Sequence, residues 1–332
     1  MSELRRDPLS GRWFVLAAER AKRPEAFYRA RRRPAEDREC PFCPGNEEHT
    51  TPEVLRYSNP DGSWAVRVVP NKFADMADPE GIDGPRGDPL HRHKPSAGCA
   101  EVLIESPDHE ASFDTHSPEQ ARLAMLATQE RCRALAAKPG VAVVMAFRNY
   151  LPESGASLLH PHGQILASSH LPPVLEAEAG CFEAYRAEHA ECLACALLRA
   201  EADGPRLVGA NAGFMTIAPY ASRSAFELLI LPRTHAPDFL DADPAASAAA
   251  LQDAFGRLKR ALGDPPCNMW IHCRPQAFTG DFHWHIHITP RLTVEGAWEL
   301  GTGLAVNIVP PEQAAEILAM PRDEAKMAVP PA

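Results

Sequence analysis

No segment of this 332-residue sequence approaches the ~18 consecutive apolar residues that a membrane-spanning helix requires. The first residues, Met1-Ser2-Glu3-Leu4-Arg5-Arg6-Asp7, carry charges where a secretory leader needs an apolar stretch. A soluble, cytoplasmic protein with no membrane attachment is therefore expected. A basic excess is missing too: 34 Lys and Arg against 44 Asp and Glu leave a net charge of -10. That balance disfavours a broad nucleic-acid footprint, because binding a phosphate backbone needs a basic face. A small anionic substrate needs only a few local cations. The basic clusters are Arg20-Ala21-Lys22-Arg23 and Arg29-Ala30-Arg31-Arg32-Arg33, and the second reads as a solvated surface stretch. There is no sign of a disulfide framework either, since the nine cysteines are odd in number and no secretion signal accompanies them. Two CxxC pairs, Cys40/Cys43 and Cys192/Cys195, read instead as half-sites for zinc, with free buried thiols as the plainer alternative.

Against the 33 prolines the periodic segments stand out, and they recur in the same order in both halves. Cys40/Cys43 is followed by the strand-like run 64–69, by 99–105, and by Ser106-Pro107-Asp108-His109. Cys192/Cys195 is followed by 213–218, by 225–230, and by Leu231-Pro232-Arg233-Thr234-His235. A helix comes next in each half. Ser117-Pro118-Glu119-Gln120 supplies an N-cap, a proline at the first helical position and a capping-box glutamine, ahead of Leu123, Leu126 and Leu135. The counterpart begins near Asp243-Pro244 and carries Leu251, Phe255, Leu258 and Leu262 at helical spacing. Each half closes on a strand that leads to a histidine cluster; 53 residues separate His109 from His162 and 50 separate His235 from His285. The expected fold class is α+β, two repeats that are each an antiparallel sheet with a packed helix. The expected domains are 1–180 and 181–332, with 165–190 as the connection.

The first cluster is His160-Pro161-His162-Gly163-Gln164. A strand sends residues i, i+2 and i+4 to one face, which would align His160, His162 and Gln164. One imidazole can act as a nucleophile, a second can bind metal or orient the first, and an amide can donate to a phosphoryl oxygen. Taken alone, a His pair at this spacing is more often structural or metal-binding than nucleophilic. Upstream, Gly155, Ala156 and Ser157 would let the backbone approach a nucleotide closely, which adds weight to catalysis.

With Arg20 to Pro24, Cys40-Pro41-Phe42-Cys43-Pro44-Gly45-Asn46-Glu47, Pro70-Asn71-Lys72-Phe73, Ser106 to His109, His160 to Gln164 and Glu299-Leu300-Gly301-Thr302-Gly303, the sequence resembles a family over nearly its whole length. The family is that of the galactose-1-phosphate uridylyltransferases, a two-repeat branch of the histidine-triad superfamily. The resemblance implies a ping-pong transfer in which UDP-glucose gives UMP to an enzyme histidine and galactose 1-phosphate, a hexose 1-phosphate, then takes it. It implies His162 as the nucleophile and Gln164 as the group that bonds the transferring oxygens, where many relatives hold a third histidine. Asn71, Asn149 and Ser157 match positions that contact the nucleotide or its phosphates, with Gly155 in the same loop. Arg20 and Arg23 match an arginine pair that reaches phosphate across a homodimer; ordinary surface charge is their alternative.

The resemblance also implies zinc, two ions per chain. Cys40, Cys43, His109 and His160 fill one tetrahedral set, and the repeat assigns Cys192, Cys195, His235 and His283 to the second. A plant branch of the family looks this way, and it resembles an ADP-glucose phosphorylase with phosphate as acceptor. Bacterial members place a different metal in the second half with Glu and His, and Glu178, His272, His285 and His287 can be read so. The Cys-containing set is preferred because the repeat supplies all four ligands. His283-Trp284-His285-Ile286-His287 offers a candidate second active centre, but it lacks the Gly-Ala-Ser loop upstream, which favours structure. The competing functions are a nucleotide hydrolase or phosphorylase using the same His162, and a zinc-stabilised interaction module without catalysis.

Overall fold

The computed structural model describes residues 2–22, 39–76 and 86–320. The strands are β1 (Glu3–Arg6), β2 (Trp13–Leu16), β3 (Leu55–Ser58), β4 (Trp64–Pro70), β5 (Gly98–Ile104), β6 (Val143–Tyr150), β7 (His162–Ser168), β8 (Leu207–Ala210), β9 (Phe214–Ile217), β10 (Leu228–Pro232), β11 (Cys267–His272), β12 (His285–Pro290) and β13 (Val306–Asn307). The helices are α1 (Pro118–Ala136), α2 (Pro173–His189), α3 (Leu193–Glu201), α4 (Pro244–Leu262), α5 (Ala297–Thr302) and α6 (Pro311–Ala319). The fold is α+β, as expected.

Ten strands form one antiparallel sheet in the order β3-β4-β5-β7-β6-β11-β12-β10-β9-β8. Reading outward from the β6/β11 seam, β6, β7, β5, β4 and β3 are mirrored by β11, β12, β10, β9 and β8. The seam pairs Asn149 with Asn268 and Arg148 with Met269. The two repeats therefore join edge to edge, which buries the unpaired backbone groups that each half would otherwise expose at β6 or β11. A small sheet, β1-β2-β13, lies apart from the ten strands.

Helices α1 and α4 pack together on one face, where alanines do much of the work: Ala121, Ala124, Ala248 and Ala254 are buried with Leu135, Leu251 and Leu258 against Val144, Ala146, Ile165, Ile230 and Ile286. Small side chains let the helices approach closely, so leucine spacing alone understates this interface. Ser117 caps α1 by accepting from Gln120 N, and Asp243 caps α4 by accepting from Ala245 N. The Gln120 side chain does not close a capping box. It donates instead to the carbonyls of Ala65 and Glu105, tying α1 to β4 and to the end of β5.

Two expectations change. The stretch taken as a connection, 165–190, holds most of β7 and the whole of α2, whose Leu175 and Phe182 are buried. The strand expected at 225–230 starts only at Leu228. Phe226 has φ 60°, a left-handed turn, and the Glu227 carboxylate accepts from Arg223 N, so the chain bends where apolar content suggested extension.

Candidate active site and metal centres

Cys40, Cys43, His109 and His160 come together with their ligating atoms all within 4.8 Å of one another. Cys43 Sγ lies 3.3 Å from His109 Nδ1 and 3.7 Å from His160 Nδ1, and the two Nδ1 atoms are 3.3 Å apart. His160 Nε2 is 2.8 Å from the Ser106 carbonyl, which fixes its proton there and points Nδ1 at the thiols. Burial lowers the His160 pKa to about 4, with His109 and His162 contributing, so the ring is neutral and ready to ligate. The four donors fit a closed tetrahedral zinc site.

His160 precedes β7 rather than sharing its face, and this gives it two tasks. Its backbone carbonyl accepts from His162 Nδ1 at 2.8 Å, which leaves the electron pair of the His162 imidazole on Nε2. His162 opens β7 and is buried, with Phe42 edge-on at 5.5 Å between ring centroids. Strand alternation places Gln164 on the same face, and Phe147 is its partner on β6. Behind the strand lies a cluster that the motifs did not announce. Glu105 Oε2 is 2.8 Å from Arg148 Nη1 and 3.7 Å from His116 Nε2, and all three residues are buried. These contacts are close in distance but off hydrogen-bond alignment. Burial pushes the Glu105 carboxyl up, but Arg148, His116 and His162 outweigh it and hold the pKa below its ordinary value. A Cβ on Gly163 would sit 3.5 Å from Glu105 Oε1 and 3.4 Å from the Phe147 carbonyl, ordinary van der Waals distances, which puts this carboxylate directly beneath the His162 strand. The available signal was an acidic residue ending the apolar run Val102-Leu103-Ile104.

The second half repeats the arrangement. Cys192, Cys195, His235 and His283 converge within the same limit. Cys195 Sγ is 3.7 Å from His235 Nδ1 and 3.6 Å from His283 Nδ1, and His283 Nε2 is 3.0 Å from the Pro232 carbonyl. His285 Nδ1 contacts the His283 carbonyl at 3.0 Å, the counterpart of the His162 to His160 bond. The chemistry then diverges, because His285 Nε2 lies 3.7 Å from Glu178 Oε2 on α2. Glu178, His272, His285 and His287 form a third cluster of ligating atoms within 4.8 Å. The alternative Glu/His set is thus assembled beside the Cys-containing one rather than in place of it. Burial drives the Glu178 carboxyl up, but His272, His285 and His287 bring it down to about 2, and burial lowers His285 to about 3 and His287 to about 4. His285 Nε2 and both ring nitrogens of His287 are buried without a hydrogen-bond partner, as expected of atoms that fit a cation.

Of the remaining expected residues, Asn149 accepts from Asn268 Nδ2 at 2.8 Å across the seam, and Gly155 adopts φ 92° beside it. Ser157 is exposed in the loop before His160. Asn71 follows β4, its Oδ1 accepting from Phe73 N in a tight turn. Arg20 is exposed in the 3-10 turn Ala18–Lys22, and Arg23 lies outside the described residues.

Two mirrored halves, each with a Cys/Cys/His/His set and a His-x-His pair hydrogen-bonded the same way, define a two-repeat protein of the histidine-triad class. The chain belongs to the galactose-1-phosphate uridyl transferase family, whose N-terminal domain matches residues 1–172. It is 29% identical to ADP-glucose phosphorylase of Arabidopsis thaliana over 95% of this chain and 92% of that protein. It is 30% identical to galactose-1-phosphate uridylyltransferase of Streptomyces lividans over 96% of this chain and 86% of that one. The crystal structure of the Arabidopsis ADP-glucose phosphorylase with bound ADP-glucose superposes with a TM-score of 0.82 at 27% identity, covering 97% of this chain and 99% of that one. No helix among the described residues is long and apolar enough to cross a membrane.

Proposed function

We infer that the protein moves UMP from UDP-glucose to galactose 1-phosphate, a hexose 1-phosphate, through a covalent nucleotidyl-His162 intermediate. The observation that carries this reading is the 2.8 Å bond from His162 Nδ1 to the His160 carbonyl, which sets the imidazole for attack by Nε2. In the first step Nε2 would bond the α-phosphorus while the bond to the bridging oxygen breaks, and hexose 1-phosphate leaves. The positive charge that develops on the ring is shared with the His160 carbonyl through Nδ1–H. Gln164, on the same face, would donate to a non-bridging oxygen, with Asn71, Asn149, Gly155 and Ser157 around the nucleotide. In the second step the acceptor's phosphate oxygen bonds phosphorus and the electron pair returns to Nε2. The two Cys/Cys/His/His sets would each hold a zinc ion, which supplies a rigid brace: the first fixes His160, and His160 fixes His162. The reading includes a cytoplasmic homodimer in which Arg20 and Arg23 reach phosphates across the interface.

A second reading, ADP-glucose phosphorolysis with phosphate as the acceptor, is favoured by the similarity to the Arabidopsis enzyme over 95% of the chain. Both readings use the same His162 chemistry. Incubation with UDP-glucose or ADP-glucose, followed by intact-mass measurement, separates them by the nucleotide retained. Retention of UMP and its discharge by galactose 1-phosphate supports the first. Retention of AMP and discharge by phosphate supports the second, and absence of any adduct overturns both.

A further inference from the structure

Helices α1 and α4 both begin on a proline and both run for 19 residues, so their positions correspond one to one. Near their C-terminal ends the sizes part: Leu258 and Leu262 of α4 stand where α1 has Cys132 and Ala136. The strands repeat the difference. Tyr150 lies ten residues before His160, and Cys273 lies ten residues before its counterpart His283. Tyr150 and Cys273 both pack on the core beneath the helices, and the Tyr150 hydroxyl donates to Asp264 at 2.8 Å. Three large side chains in one half are thus answered by three small ones in the other.

Where the small residues stand, a cavity of about 290 Å³ lies between the end of α1, the segment 238–240 and the end of β11. That is about twice the ~150 Å³ that accommodates one benzene ring. Its apolar wall includes Val144, Phe239 and Ile271, with the Cys132 thiol, which burial pushes well above its ordinary pKa and so keeps uncharged. Exposed Arg133 and Gln276 mark the rim where it meets solvent. No residue assigned above to a metal or to the nucleotide lines it. Three charged side chains do: Arg133, Asp238 and Arg274. Arg133 is engaged, donating to the Leu240 carbonyl at 2.6 Å and to Asp241 at 3.2 Å. Arg274 N donates to the Pro237 carbonyl at 3.1 Å, which sets Arg274 against the segment that carries Asp238. Yet no ion pair joins the two side chains. Among the described residues the Arg274 guanidinium has no hydrogen-bond partner, and Asp238 accepts through Oδ1 alone, from Leu240 N at 3.1 Å. An unpaired cation and a half-used carboxylate therefore share the wall of one apolar chamber.

We propose that this cavity binds an apolar amino acid, with its carboxylate on Arg274, its ammonium group on Asp238 and its side chain against Val144, Phe239 and Ile271. A zwitterion answers both charges and adds no net charge of its own. A dianion such as a phosphate monoester would bring its second charge against Asp238, and a neutral ligand would leave both groups unanswered. The site is separate from the nucleotidyl-histidine reading and does not depend on it.

The test is calorimetric titration of the full-length protein with leucine, with isocaproate, which lacks the amine, and with isoamylamine, which lacks the carboxylate. We expect saturable binding of leucine at one site per chain, and both analogues weaker by roughly tenfold. Arg274→Met should weaken leucine to the level of isoamylamine and leave isoamylamine unchanged. Asp238→Asn should weaken leucine to the level of isocaproate and leave isocaproate unchanged. Cys273→Tyr, which installs the side chain of the other repeat, should abolish binding while metal content is retained; if that variant does not fold, the two charge variants decide. No saturation by about 10 mM leucine, equal affinity for the three ligands, or an unaltered leucine affinity in Arg274→Met would each overturn the proposal. So would leucine binding that persists in folded Cys273→Tyr.

Discussion

Removing Arg148 tests whether the buried charges behind the His162 strand are held as a unit. At 2.8 Å and an effective dielectric of ~20, the Arg148 to Glu105 attraction is about 6 kcal/mol gross, and part of it offsets the desolvation of both groups. Arg148→Met leaves the Glu105 carboxylate without its nearest cation in a site that is only 3% exposed. Breaking one partner of such a pair costs about 3–5 kcal/mol, whereas replacing both with apolar groups is near neutral. With an unfolding entropy of ~2.1 cal/mol/K per residue over the 332-residue chain, that loss lowers the melting temperature by about 4–7 °C. Glu105→Leu/Arg148→Met should recover most of it.

The sign of the pH dependence gives an independent check. In the native protein the Glu105 pKa is held below its unfolded value, so its contribution is full above about pH 4.5 and fades as pH falls through the lower folded value. Without Arg148, burial wins and the folded pKa rises above the unfolded one. The penalty is then largest at high pH and shrinks in acid as the carboxyl takes a proton. Thermal unfolding at pH 8 and pH 5, with zinc present, should show the gap between wild type and Arg148→Met narrowing at pH 5. A single variant within 1 kcal/mol of wild type, or a double variant as weak as the single, would refute the reasoning.

Other outcomes follow from the two Cys/Cys/His/His sets and from His162. His162→Ala should form no nucleotidyl adduct while keeping fold and metal content; an adduct at normal yield in this variant removes His162 from the mechanism. Cys192→Ser/Cys195→Ser should lose one zinc ion per chain by elemental analysis, and a variant that retains its full metal content would rule out the second Cys/Cys/His/His site. Metal-free protein should lose stability as pH falls from about 6.5 toward 4, because burial lowers the folded pKa of His160 and His283 to about 4; a flat melting temperature across that window would contradict it. Gln164→His should raise hydrolysis of the adduct relative to transfer, measured as discharge by water against discharge by a hexose 1-phosphate, and an unchanged ratio would count against the role given to Gln164.

The repeated order of Cys pair, strands, helix and histidine cluster made the α+β halves and both Cys/Cys/His/His sets legible, because each rests on residue types at fixed spacing. The helix α2 was not legible: Pro172 and Pro173 read as breakers, yet Pro173 occupies the first helical position, where its missing N–H costs nothing. The joining of the halves was hidden for a different reason. Pairing of β6 with β11 is made by backbone groups more than a hundred residues apart, and no periodicity marks which edges meet. The Glu105, Arg148 and His116 cluster was equally hidden, since its members come from three separate segments and only their convergence gives them meaning.

The mirrored halves also show how one backbone arrangement can serve two ends. His162 and His285 make the same bond to the carbonyl two residues before them, at 2.8 and 3.0 Å, so the local chain path fixes the imidazole in both. What differs is what meets Nε2. In the first half Gly155, Ser157 and Asn149 precede the motif, and the buried Glu105 carboxylate lies beneath the strand, beside Gly163, rather than in front of it. In the second half α2 carries Glu178 to within 3.7 Å of His285 Nε2, with His272 and His287 completing the ring of donors. An imidazole whose Nε2 ligated an ion held by these donors would have no electron pair left to attack phosphorus, whatever its tautomer. On the proposed reading, the helix that proline punctuation concealed is the element that would make His285 a ligand where His162 is a nucleophile. Removing its carboxylate by Glu178→Ala should empty the third metal site without giving His285 an adduct, because no Gly-Ala-Ser loop stands ready to hold a nucleotide there. An adduct at His285 in that variant, located by peptide mass mapping, would show that the loop matters less than access to Nε2.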